Sequence, residues 1–165
     1  MADSVERDTA AEVREAVENY FKAEGAKYKP FDERGVAHAT YGVDVKFGHV
    51  EVFFHAYHDM LILHLIVPLK AGEDERVKVG EFLHRANYGL KVGNFDFDFN
   101  DGEISYRVAI YCGMNDFEPP RHEQIDAALS IGLMMIDKYG DDLVKVMFGL
   151  AEPLDAIAAV DNEDE

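Results

Sequence analysis

Residues 94–111, NFDFDFNDGEISYRVAIY, constrain the fold more than any other part of the chain. Phe95, Phe97 and Phe99 alternate with Asn94, Asp96, Asp98 and Asn100, and this period of two places three aromatics on one face of a strand. Beyond Asn100-Asp101-Gly102 the alternation resumes with Ile104, Tyr106, Val108 and Ile110. Asp-Gly is a strong hairpin signal, because a tight primed turn needs positive φ at its centre. With Asp101-Gly102 as a two-residue loop, Phe99 is predicted opposite Ile104, Phe97 opposite Tyr106 and Phe95 opposite Val108. The other face then sets Asp96 against Arg107 and Asp98 against Ser105. A one-residue slip would turn every apolar side chain to the wrong face.

A second hairpin precedes it. Residues 49–57 (HVEVFFHAY) and 60–67 (MLILHLIV) flank His58-Asp59. That loop pairs Ala56 with Leu61, Phe54 with Leu63, Val52 with Leu65 and Val50 with Val67, a wholly apolar face that must be core. The opposite face carries Glu51, Phe53, His55, Tyr57, Met60, Ile62, His64 and Ile66. It is too apolar for a solvated sheet face, which alternates cleanly to polar. A partner surface is therefore expected at Phe53, His55, Tyr57, Met60, Ile62, His64 and Ile66, with a second copy of the chain favoured over the second helix as its cover.

The rest of the chain reads as helices around these strands. Thr9 with Glu12 suggests a capping box for a first helix whose Val13, Ala16, Val17, Tyr20 and Phe21 share a face, and Gly25 ends it. Residues 26–34 read as a polar connection and 36–47 as a strand broken at Gly42. Glu73, Asp74 and Glu75 favour the positive end of a second helix, with Val79, Phe82, Leu83, Ala86 and Leu90 as its buried stripe. A third helix is predicted over residues 123–148, with Ile125, Ala128, Leu129, Gly132, Leu133, Ile136 and Leu143 inward, Met134, Met135 and Met147 widening the stripe, and a kink or break at Gly140. Residues 151–160 suit a helical turn, and 161–165 (DNEDE) an acidic, disordered tail. The expectation is one α+β domain over residues 1–150, a twisted antiparallel sheet packed by helices, followed by a tail over 151–165.

Composition narrows the partners. The net charge of −17 argues against nucleic acid and against an anionic membrane surface, since both are bound through Lys and Arg. A lone cysteine, Cys112, excludes an internal disulfide and fits a reducing compartment. The acidic, amphipathic start does not read as a signal peptide, and the longest apolar run, 60–67, is too short to span a bilayer. A cytoplasmic protein is expected.

Asn87, then Gly93-Asn94-Phe95, then Gly102-Glu103-Ile104-Ser105-Tyr106-Arg107 resemble the YbjN family. Ile136-Asp137-Lys138-Tyr139 and Val146-Met147-Phe148-Gly149 are similar to its C-terminal segment, so the resemblance spans residues 61–150. It implies a fold like that of the type III secretion chaperones, a homodimer, and a protein-binding or regulatory role for which "sensory transduction regulator" is the customary label. It implies no catalytic residues and no cofactor.

The chemistry-bearing residues support no reaction. Asp96-x-Asp98-x-Asn100-Asp101-Gly102 resembles a calcium loop, but an EF-hand starting there needs Gly where Asp101 stands and Glu where Arg107 stands. His55 and His64 are predicted diagonal neighbours with Glu51 on their face, a set that suits zinc or iron. A small-molecule or metal-binding role for that face is the alternative to protein binding, and packing or interface histidines are the favoured reading. His38 and His122 stand isolated. Cys112 has no basic neighbour to activate it and reads as a buried, idle thiol. No enzymatic activity is expected.

Overall fold

The computed structural model describes residues 7–163. Among these, α1 (Thr9–Glu24), β1 (Tyr28–Lys29), β2 (Val36–Gly42), β3 (His49–Ala56), β4 (Met60–Ile66), α2 (Arg76–Asn87), β5 (Asn94–Phe97), β6 (Ile104–Tyr111), α3 (His122–Met147) and α4 (Pro153–Glu163) follow in chain order. The strands form an open antiparallel sheet in the order β1-β2-β3-β4-β6-β5. The α+β reading holds. Residues 26–47, read as a connection and a single broken strand, contribute two strands, β1 and β2.

The β3–β4 register is the one the apolar pattern dictates: Val52 faces Leu65, Phe54 faces Leu63 and Ala56 faces Leu61. These side chains, with Val50, Ile104, Tyr106 and Val108, are buried beneath the helices. The Phe21 ring of α1 meets Phe54 edge-on at 4.8 Å, and Tyr139 of α3 meets Phe95 of β5 at 5.6 Å. Both helices thus pack on the same inward face. α2 packs against β5, α3 and α4, so it is not available to cover the opposite face of the sheet.

The central hairpin differs from the expected register by two residues. Phe95 faces Tyr106, Phe97 faces Ile104 and Asp96 faces Ser105. The loop is four residues long, closed by the Asp98 N–H on the Glu103 carbonyl at 3.0 Å and the Gly102 N–H on the Asp98 carbonyl at 2.8 Å. Three interactions hold the longer loop. Asp98 accepts from the Asn100 N–H at 2.7 Å, Arg76 donates to the Phe99 and Asn100 carbonyls at 3.2 and 3.0 Å, and the Ala71 N–H donates to the Gly102 carbonyl. Phe99 leaves the ladder and lies over Gly80 of α2, where a Cβ would run into its ring. Gly80, a blemish in the helical pattern, makes room for this contact.

Other corrections are local. Asp8, not Thr9, caps α1, accepting from the Ala11 N–H at 2.9 Å, while Glu12 is drawn to Arg7. α3 runs unbroken through Gly140, which lies against Val45: a Cβ there would come within 3.0–3.2 Å of the valine. Met134 points outward at 58% exposure, so it does not widen the buried stripe. α4 buries Ala156 and Val160 and continues through Glu163, into the acidic stretch expected to be a disordered tail. Residues 164–165 of that stretch, like the first six of the acidic N-terminus, lie outside the described residues.

Strand β5 lies at the sheet edge, where unpaired backbone groups invite unwanted pairing. Asn87, at the end of α2, closes it. Its side-chain amide donates to the Phe95 carbonyl at 2.9 Å and its oxygen accepts the Phe95 N–H at 2.7 Å, imitating a neighbouring strand. Gly93, at φ 73°, lets the chain pass close to the Arg107 carbonyl and the Tyr106 ring, and the Tyr106 hydroxyl donates to the Val92 carbonyl at 2.6 Å. Asn87→Ala strands the Phe95 N–H and leaves its carbonyl only the longer 3.3 Å bond from the Asn94 amide, and a loss of about 1–3 kcal/mol is expected in urea denaturation. A change within about 0.5 kcal/mol, the range of an ordinary surface substitution, would show that the edge does not depend on this clip.

Candidate functional site

The face of the sheet turned away from the helices is built in cross-strand rows. At the turn end, Tyr57 and Met60 lie beside Tyr111. The next row is Val36, His55, Ile62 and Ala109, followed by His38, Phe53, His64, Arg107 and Asn94. The last runs Thr40, Glu51, Ile66, Ser105 and Asp96. Apolar side chains dominate the first two rows and polar ones the last. The expected partner residues all lie here: Phe53, His55, Met60, Ile62, His64 and Ile66 half-buried by one another, Tyr57 45% exposed.

Sequence reasoning missed Val36, His38, Ala109 and Tyr111, which extend this face on both sides. Alternation alone puts Ala109 and Tyr111 on the same side as Ser105 and Arg107. The adjacency of β4 and β6, which brings the two outer faces together, leaves no local mark in the sequence. His38 is not isolated. Its ring stacks on Phe53 at 4.5 Å and its Nε2 hydrogen-bonds Glu51. His122, the other histidine read as isolated, lies 2.9 Å from Glu24 on the helical side.

The electrostatics of the face are local and balanced. Burial pushes the Glu51 carboxyl up, but the hydrogen bonds from His38 and Thr40, the latter 3.1 Å, outweigh it and hold the group below its usual range. Arg107 reaches diagonally to Asp96, Nε to Oδ2 at 2.7 Å, although the strands place Ser105 opposite that carboxylate. His55 and His64 are diagonal neighbours with ring centroids 4.9 Å apart. Burial lowers the pKa of both imidazoles; His64 further lowers that of His55.

This arrangement brings His55 and His64 together but gives them no third ligand, since Glu51 is engaged by β2. Among the described residues no group of three or more His, Cys, Asp and Glu side chains is placed to hold a metal ion. The carboxylates of the calcium-like run go to separate partners: Asp96 to Arg107, Asp98 to Asn100 and Asp101 to Lys70. An open hollow of about 520 Å³ lies between His64 and the β5–β6 loop, with Asp96, Asp98 and Glu103 on its walls. Cys112 is buried, and burial pushes its thiol up, away from the reactive thiolate.

An open sheet with helices on one face and an apolar, charge-balanced surface on the other defines a domain equipped for contact. Its family agrees with that architecture. The family model described as "Putative bacterial sensory transduction regulator", YbjN, matches residues 14–145, and the chain belongs to this family. The match takes in residues 26–47 as well as the later motifs. Among solved structures, a chain of the ExsC–ExsE complex is similar, with a TM-score of 0.50 and 18% identity over 82% of this chain and 95% of that one. At that identity the likeness is one of fold. No curated protein matches the chain. No helix among the described residues is long and apolar enough to cross a membrane.

The Asp96–Arg107 pair belongs to the polar side of the face, its side chains 40% and 41% exposed. Ion pairs this open to water contribute little, so Asp96→Ala is expected to change stability by less than about 1 kcal/mol in a denaturant melt. A loss several times larger would place the pair among the groups on which the fold depends.

Proposed function

We propose that this chain is a non-enzymatic protein-binding module of the cytoplasm, chaperone-like or regulatory, acting as a homodimer through the outer face of its sheet. The observation that carries the proposal is the solvent-facing run of Tyr57, Met60, Tyr111, Val36, Ile62 and Phe53, with the helices packed on the opposite face. A contiguous apolar patch of this kind is seldom left to water. The regulator description of the family and a structural neighbour that is itself part of a two-protein complex support the same reading.

The distribution of charge leaves this face as the place where a second copy meets the least repulsion. Two chains of −17 repel wherever their acidic surfaces meet. The first two rows carry no formal charge with their histidine neutral, and in the later rows Glu51 and Arg107 are each paired within the face. The apolar end of the outer sheet face is thus where two copies meet the least opposing acid, since Asp98 and Glu103 lie toward the β5–β6 loop, and a two-fold axis through it satisfies both patches at once.

Ile62→Asp places a carboxylate in the middle of the patch and is expected to give a folded, monomeric protein in sedimentation velocity at micromolar concentration. Tyr111→Asp, at a position 66% exposed, charges the same face with no loss of core and is expected to do likewise. A wild-type chain that is already monomeric, or variants that remain dimeric, would overturn the self-association; binding of another protein through the face would then be the reading left standing.

A further inference from the structure

The surface proposed for self-association has two titratable side chains at its centre. His55 lies between Val36 and Ile62, and His64 between Phe53 and Arg107. Their rings are 4.9 Å apart and half-buried among aromatic and aliphatic neighbours, with Tyr57 stacked at 6.5 Å from His55. Resting on the self-association reading, we propose that the His55–His64 pair makes that association depend on pH: two copies meet while both imidazoles are neutral and part when acid charges them.

The groups around the pair set the balance. Asp32 and Arg34, from the β1–β2 connection, act on His55 with opposite signs. Asp96 from β5 and Glu103 just before β6 favour a charged His64, while Arg107 from β6 disfavours it. The nearest carboxylates are held elsewhere, Asp32 by Arg34 and Asp96 by Arg107. Burial is the largest influence on both imidazoles, and it lowers both. A second sheet laid over the face removes the water that remains, so each imidazole titrates lower in the dimer than in the free chain. A base with the lower pKa in the dimer takes up a proton on dissociation. Association is therefore complete above the pKa of the free chain and is lost as pH falls through that value. Each imidazole that shifts by one pKa unit weakens association by up to about tenfold.

His38 and Glu51 lie on the same face but follow a different course. They are hydrogen-bonded to each other and so already hold a partner within the face. The unpaired imidazoles are His55 and His64, and the test separates them from the rest.

Sedimentation velocity of the full chain and of the His55→Gln/His64→Gln double variant is read at about pH 7.5 and about pH 5.0, the lower value set well under the ordinary imidazole value because burial lowers both groups in the free chain. The expected result is a wild-type dimer at the upper pH, and each protein is then judged by the ratio of its own dissociation constants at the two values. At the lower pH the dissociation constant of the wild type rises about tenfold or more, while that of the double variant changes less than about threefold. A wild-type dimer equally tight at both values overturns the proposal, as does a double variant that dissociates as readily as the wild type. A chain that loses its circular dichroism signal at the lower pH overturns it too, because the dissociation is then unfolding. A wild type monomeric at the upper pH fails the self-association reading itself, a result distinct from the others.

Discussion

The long helix α3 lies close enough to the sheet to order everything else, and it does so through small residues. At Gly132 a Cβ would come within 2.7 Å of Leu65, and Gly140 receives Val45 from the β2–β3 loop. On either side of that contact, Asp137 accepts the Asp44 N–H at 2.7 Å and Asp141 the Lys46 N–H at 3.0 Å. Helix and loop are clamped by two carboxylates around one apolar plug. The loop joins β2 to β3, so the same clamp steadies the half of the sheet that carries His38, Phe53 and His55. Glycine weakens a helix interior, and its presence twice in α3 is offset by the close approach it permits.

The apolar alternation made most of the fold legible, and it also explains the principal misreading. In β3 and β4 a short turn between two long apolar runs leaves one register that buries Val52, Phe54, Leu63 and Leu65 together, and the structure has it. In the central hairpin the same pattern tolerates two answers. A shift by two residues keeps every side chain on its own face, so polarity matching cannot detect it. What decides between them is tertiary: Arg76 on the Phe99 and Asn100 carbonyls, Ala71 on Gly102, and the Phe99 ring over Gly80. None of these partners is near the hairpin in sequence. Asp96 and Arg107 still meet because an arginine side chain spans the diagonal.

The candidate site was legible strand by strand and not as a surface. The apolar outer residues of β3 and β4 stand out because a free sheet face should alternate to polar. Their extension to Val36 and His38 on one side, and to Ala109 and Tyr111 on the other, follows only from the strand order. The same order removes α2 as a cover, since that helix is needed to close the β5 edge through Asn87 and to receive Phe99. The resemblance residues acquire physical roles here. Asn87 and Gly93 hold an edge strand, Tyr106 ties it to Val92, and Asp137 clamps a loop. They account for a shared fold and say nothing about a shared reaction.

The distribution of acid is the link between this fold and its use. A chain of −17 has to keep its carboxylates apart, and the helices and loops carry most of them: Glu15, Glu18, Asp126, Asp141 and Asp155 lie on α1, α3 and α4. On the outer sheet face Glu51 is engaged by His38 and Thr40 and Asp96 by Arg107, while Asp98 and Glu103 lie toward the β5–β6 loop, away from the apolar rows. If two sheets met face to face, as proposed, most of the repulsion between copies would fall on surfaces that point away from each other. In the proposed pair the apolar rows would supply the attraction, and the acidic helices would oppose a third chain, which would approach carboxylates on the outside of the pair. The neutral centre is also where a small change of charge would have the largest effect on the proposed pair, since a second sheet laid there would exclude the water and counter-ions that soften charge elsewhere. Two unpaired imidazoles in that position are the part of the face most able to respond to its surroundings.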